Sequence, residues 1–134
     1  MFKTLLVEDN IAFRQSLKEI IHAQFPSMAI EEAPDAGEAM QKVDSFLPNL
    51  IFMDIKLPNG NGLDLTKKIK KEHPEMSIII LTSYDFLEYR QAASQYGANH
   101  FLSKASVTRE AITTLVNSLL EKGDSGSEGK KKES

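Results

Sequence analysis

Five side chains scattered along the chain could do chemistry together: Glu8, Asp9, Asp54, Thr82 and Lys104. Each stands just after a short apolar run. Thr4-Leu5-Leu6-Val7 leads to Glu8-Asp9, Leu50-Ile51-Phe52-Met53 to Asp54, Ser77 to Leu81 to Thr82, and His100-Phe101-Leu102 to Ser103-Lys104. Carboxylates gathered at low dielectric repel one another, so bringing Glu8, Asp9 and Asp54 together demands cations. Lys104 supplies one positive charge. An oxygen-seeking divalent ion supplies the rest: two carboxylates, a backbone carbonyl and waters suit the octahedral shell of Mg²⁺. No His or Cys stands at those run ends, which argues against zinc.

The apolar runs alternate with segments of helical period. Asn10 is a candidate N-cap, and Phe13, Leu17, Ile20 and Ile21 form one apolar stripe before Pro26. A weaker strand covers about Met28 to Ala33. Asp35 and Glu38 have capping-box spacing ahead of a helix with Ala36, Met40, Val43 and Leu47 on one face. Leu50 to Met53 is apolar on both faces, as in a buried central strand. Pro58-Asn59-Gly60-Asn61-Gly62 is a turn cluster, and a third helix with Leu65 and Ile69 ends near Pro74. Asp85 and Glu88 repeat the capping spacing before a helix with Tyr89, Ala92, Ala93 and Tyr96, and Gly97 is its expected C′ residue. A final helix runs from Val107 to Leu120 with Ile112, Leu115, Val116 and Leu119 inward.

Five strand-then-helix repeats predict an α/β domain, an open doubly wound parallel sheet with helices on both faces. In such a sheet, function gathers outside the carboxyl ends of the strands, where the five side chains fall. The 134 residues, 41 % hydrophobic and 26 % charged, suit one domain with one core, expected over 1–121. From 122 to 134 the chain turns to Gly, Ser and Lys, a composition that predicts a mobile tail. The net charge of −3 offers no overall attraction to nucleic acid or an acidic membrane. Lys130-Lys131-Lys132 reads as solubilising tail, and Lys67-Lys68-Ile69-Lys70-Lys71 as the wet face of the third helix. The absence of cysteine excludes disulfides and thiolate chemistry. The apolar run near Met1 is too short for a signal peptide or a membrane span, so a cytoplasmic protein is the expectation.

The segments Leu5-Leu6-Val7-Glu8-Asp9, Phe52-Met53-Asp54-Ile55-Lys56-Leu57-Pro58, Ile80-Leu81-Thr82-Ser83 and Phe101-Leu102-Ser103-Lys104 resemble the receiver domain of bacterial response regulators, the CheY-like superfamily. The likeness runs from about Lys3 to Leu120, with Gly62 opening the third helix and Gly97-Ala98 before the fifth strand. It implies a flavodoxin-like fold with strand order 2-1-3-4-5 and five helices. It also implies a phosphoacceptor of two-component signalling rather than an enzyme. Asp54 then resembles the phosphorylated aspartate. Asp9 resembles the direct Mg²⁺ ligand, with Glu8 acting through water and the Lys56 backbone carbonyl as a third protein ligand. Thr82 resembles the switch hydroxyl, Lys104 the lysine that contacts phosphoryl oxygens, and Phe101 the switch aromatic.

The implied donor is a phosphohistidine on a sensor histidine kinase or a histidine phosphotransfer protein. The implied output face is the fourth helix, fifth strand and fifth helix, which suits an unknown downstream protein or a homodimer. Two positions depart from the family pattern: Ala105 stands where proline is common, so a trans bond is expected, and Phe101 stands where tyrosine is common. Lys56 and Tyr84, two residues beyond Asp54 and Thr82, flank the approach to the acceptor. Two other functions compete. A receiver-like binding module that is never phosphorylated would usually lack Asp9, Asp54 or Lys104. A flavin binder on the same fold would want a phosphate-binding loop after the first strand, where Glu8-Asp9-Asn10 would repel phosphate.

Overall fold

The computed structural model describes residues 1–133, with side chains described for 1–122. The sheet is built from β1 (Lys3–Val7), β2 (Ala29–Ala33), β3 (Leu50–Met53), β6 (Ser77–Thr82) and β7 (His100–Ser103). A small antiparallel hairpin, β4 (Lys56–Leu57) with β5 (Gly60–Asn61), interrupts the series. The helices are α1 (Ile11–Gln24), α2 (Ala36–Phe46), α3 (Gly62–Glu72), α4 (Leu87–Gln95) and α5 (Arg109–Glu133). The main sheet is parallel with order β2-β1-β3-β6-β7, which is 2-1-3-4-5 once the hairpin is set aside, the flavodoxin-like arrangement.

Strand side chains alternate between faces, so each central strand feeds two cores. Leu5, Val7, Ile51, Met53, Ile78 and Ile80 pack on one face with Val43 of α2, Ile69 of α3 and Ala93 of α4. Leu6, Leu50, Phe52, Ile79 and Leu81 pack on the other with Leu17 and Ile21 of α1 and Ile112 and Val116 of α5. That double burial is why these strands read as unbroken apolar runs.

Several local expectations change. Leu47 does not continue the buried face of α2: it caps the helix in the left-handed region at φ 51° and is 51 % exposed, while Ala39 is buried. Asp85 does not cap α4. Phe86 is its N-cap, without a side-chain bond, and Asp85 instead takes a two-pronged contact from Arg90. The guanidinium fork outcompetes the backbone N–H for that carboxylate. The last helix starts at Arg109, just after Thr108, whose Oγ1 accepts from Ala111 N–H (3.1 Å) and caps it. Lys70 leaves the solvated face of α3: its Nζ donates to Met76 C=O (2.7 Å) and Pro74 C=O (3.2 Å), and burial lowers its pKa.

Asn10 and Asp35 do cap, accepting from Phe13 N–H (2.9 Å) and Glu38 N–H (2.8 Å). Gly97 ends α4 at φ 97°, where an L side chain is strained. Among the described residues there is no cis peptide bond. The expected tail over 122–134 lies, beyond residue 122, outside the residues whose side chains are described; α5 is assigned to Glu133. No helix among the described residues is long and apolar enough to cross a membrane.

Candidate functional site: a carboxylate cluster around a lysine

The register of the sheet assembles the site. Val7 lies beside Met53, and Met53 beside Ile80, so Glu8 and Asp54 leave neighbouring strands at one level. β6 continues two residues past Ile80 to Thr82, which pairs with Ser103 and so sets Lys104 at the same edge. Backbone bonds finish the edge: Asp54 N–H donates to Val7 C=O (3.1 Å), and Lys104 N–H to Thr82 C=O (2.9 Å).

Lys104 crosses the centre. Its Nζ lies 2.6 Å from Glu8 Oε1 and 3.0 Å from Asp54 Oδ2. Asp54 is 6 % exposed, and its other oxygen, Oδ1, accepts from Ile55 N–H at 2.8 Å. The other Glu8 oxygen accepts from Asn10 N–H (3.0 Å). Asp9 stands exposed at the rim, with a carboxylate oxygen within 4.8 Å of oxygens of Glu8 and Asp54.

Two carboxylates sharing one ammonium leave surplus negative charge in a buried place. Burial pushes the Glu8 carboxyl up to about 7, and Asp54 adds to the rise, although hydrogen bonds from Lys104 and Asn10 oppose it. Burial pulls Lys104 down, but its hydrogen bonds to Glu8 and Asp54 outweigh that and hold its pKa above the ordinary lysine value. The ammonium is therefore charged, and the pocket still favours another cation. The available donors are hard oxygens, which fit Mg²⁺ rather than a thiophilic metal.

The side chains of the expected switch residues, Thr82 and Phe101, make their contacts away from these carboxylates. Thr82 is fully buried, and its Oγ1 accepts from Tyr84 N–H at 3.2 Å. Phe101 is half-buried against the α2–α3–α4 core, with the Arg90 guanidinium 4.6 Å from its ring centroid. The exposed Lys56 side chain lies between two rings, 5.3 Å from the Tyr84 centroid and 5.5 Å from that of Tyr89.

Three contacts that shape the site were hidden in the sequence. Phe13, read as core stripe, has its ring centroid 4.5 Å from Lys104 Nζ. Arg14 donates to Glu8 C=O at 2.7 Å and pairs with Glu32, bracing the β1 exit. Gly62 passes so close to Asp54 that only hydrogen fits at its α-carbon, and its N–H donates to Ile55 C=O (2.7 Å). The spacing of Phe13, one helical turn past Asp9, was the available signal, and the apolar periodicity masked it.

Known proteins share this fold. The response regulator receiver domain family matches residues 4–117, and the chain belongs to that family. It is 30 % identical to the CheY-like response regulator receiver domain protein of Methanospirillum hungatei JF-1, with a TM-score of 0.82 over 93 % of this chain and 98 % of that one. It is 34 % identical to the transcriptional regulatory protein HptR of Staphylococcus aureus, over 90 % of this chain and 49 % of that protein. It is 35 % identical to the oxygen regulatory protein NreC of Staphylococcus haemolyticus, over 84 % of this chain and 52 % of that protein. The chain thus spans about half the length of these curated relatives. It is a receiver domain of the two-component response regulator type, a signalling module.

Proposed function

We propose that Asp54 accepts a phosphoryl group from a phosphohistidine on a sensor histidine kinase or phosphotransfer protein. The observation that supports this reading best is Lys104 bridging Glu8 and Asp54, with Asp54 oriented from its other side by Ile55 N–H. An ionised carboxylate so oriented is a nucleophile with its cationic partner already in place. A carboxylate oxygen of Asp54 forms a bond to phosphorus as the P–N bond breaks, and the imidazole leaves with the electron pair and takes up a proton. The charge on the transferred oxygens is met by the Lys104 ammonium, which turns to them from Asp54. Thr82 Oγ supplies a hydroxyl donor to the same oxygens.

Mg²⁺ would be held by Asp9, Asp54 and the Lys56 backbone carbonyl, with Glu8 acting through water. It supplies charge neutralisation at the phosphoryl oxygens when bound. Water later attacks the acyl phosphate and ends the signal. Output runs through α4, β7 and α5 to a partner protein or to a second copy of the chain. The longer relatives named as transcriptional regulators suggest that, in a full-length protein, this face controls gene expression.

Incubating the chain with Mg²⁺ and acetyl phosphate and reading the intact mass tests the proposal. One phosphoryl adduct is expected on wild type and none on Asp54→Asn or Asp54→Ala. Undiminished labelling of Asp54→Ala would overturn the assignment.

A further inference from the structure

The Lys104 ammonium lies against Glu8, Asp54 and the ring of Phe13, and chemistry at Asp54 disturbs the first two. Asp54 loses much of its anionic character at the oxygen that becomes an acyl phosphate. Glu8, the other carboxylate, borders the same negative cluster, whose charge changes when a phosphoryl group arrives. The third neighbour is the ring of Phe13, whose centroid lies 4.5 Å from Lys104 Nζ. A ring face attracts an ammonium within about 6 Å through its quadrupole, and more strongly when water is excluded. Here the lysine side chain is 14 % exposed, so that contact operates in a mostly dry place. Phe13 is itself anchored: it is half-buried against the α1–α5 core, and its N–H is fixed by the Asn10 cap at 2.9 Å.

We propose that Phe13 is a positioning residue for phosphoryl transfer, keeping the Lys104 ammonium inside the site as it turns from Asp54 to the phosphoryl oxygens. The proposal rests on the reading of Asp54 as the acceptor. A lysine has four flexible side-chain torsions, and its charged end has to turn from Asp54 to the arriving phosphoryl oxygens without swinging out to water. The ring gives it a partner that neither ionises nor reacts. Phe13 touches no reacting atom; it acts through Lys104.

The test compares wild type, Phe13→Leu and Phe13→Tyr as full chains. Leu keeps apolar volume but has no ring, and Tyr restores the ring. Proton NMR reads the ε-methylene of Lys104, which a ring face shifts upfield. Acetyl phosphate with Mg²⁺ supplies the phosphorylation rate across donor concentrations, and thermal melting confirms that each variant is folded. The upfield shift is expected in wild type and Phe13→Tyr and lost in Phe13→Leu. The maximal rate is expected to fall about two- to thirtyfold in Phe13→Leu, the range of such a contact, with little change in the donor concentration giving half-maximal rate. Phe13→Tyr is expected to recover most of it.

A folded Phe13→Leu protein labelled at the wild-type rate would overturn the proposal. So would equal losses in Leu and Tyr, which would mean that packing rather than the ring matters. A wild type with the Lys104 shift but no label on Asp54 would overturn the acceptor reading, and this proposal with it. A wild type that is labelled but lacks the shift would overturn the ring contact alone.

Discussion

Gly62 and Asp54 meet backbone to backbone: a Cβ on Gly62 would stand 1.8 Å from the Asp54 carbonyl oxygen. The first residue of α3 is thus packed directly under the strand end that carries the acceptor. No rotamer adjustment relieves a clash with backbone, so Gly62→Ala must push the β3 exit or the helix aside. Overpacking of this kind costs about 3 kcal/mol or more. Denaturant unfolding should show that loss, and the surviving folded fraction should label more slowly on Asp54 because the carboxylate has moved. Wild-type stability in Gly62→Ala would show that the contact is relieved cheaply.

Mg²⁺ should stabilise the fold. Glu8, Asp9 and Asp54 converge, and an ion that binds the native cluster but not the unfolded chain raises the melting temperature by mass action. Melting in chelator against millimolar MgCl₂ reads the effect directly. Asp9→Asn should shrink the Mg²⁺-dependent rise without abolishing folding, since Asp9 lies exposed at the rim. Equal melting temperatures with chelator and Mg²⁺ would exclude a preformed site.

Phosphorylation should move Thr82 and Phe101 together. Thr82 Oγ1 now accepts from Tyr84 N–H, and Phe101 lies half-buried beneath the Arg90 guanidinium. If the hydroxyl turns to the phosphoryl group, the vacated space admits the ring, and the α4–β7–α5 face changes shape. Amide shifts in wild type with and without acetyl phosphate and Mg²⁺ should then include Arg90, Phe101 and the start of α5. Changes confined to the loops around Asp54 would leave the chemistry standing and remove the switch.

Lys56 and Tyr84 should lengthen the life of the acyl phosphate. Hydrolysis needs a water in line with the breaking P–O bond, and bulk at the mouth restricts that line. Lys56 Nζ lies 5.3 Å and 5.5 Å from the ring centroids of Tyr84 and Tyr89, contacts that favour this place for an exposed, flexible side chain. Its ammonium cannot serve as a general base. The double variant Lys56→Asn/Tyr84→Ala should lose label several-fold faster after donor is removed, followed by intact mass over time. A lifetime equal to or longer than wild type would show that these side chains do not gate the water.

The strands and the side chains at their ends were largely legible in the sequence. Each central strand is buried on both faces, so its apolar run is unbroken, and the run stops where Glu8, Asp54 or Thr82 must reach the sheet edge. The caps at Asn10 and Asp35 were legible for a similar reason: they are bonds to N–H groups three residues away. Asp85 defeated the same rule because Arg90, five residues on, competes for its carboxylate with two donors. Local spacing cannot weigh a side-chain fork against a backbone N–H.

What the sequence determined by itself was therefore the alternation of elements and the kinds of side chain at the strand ends, since periodicity and chain-local bonds depend on near neighbours. The tertiary structure decided who meets whom. Lys104 reaches Asp54 across 50 residues, and it does so because parallel register sets the ends of β3, β6 and β7 at one edge. Phe13 faces the ammonium, Lys56 lies between two tyrosines and Lys70 turns inward through packing of elements distant in sequence. Such contacts depend on the crossing and register of whole elements, which no short window of residues encodes.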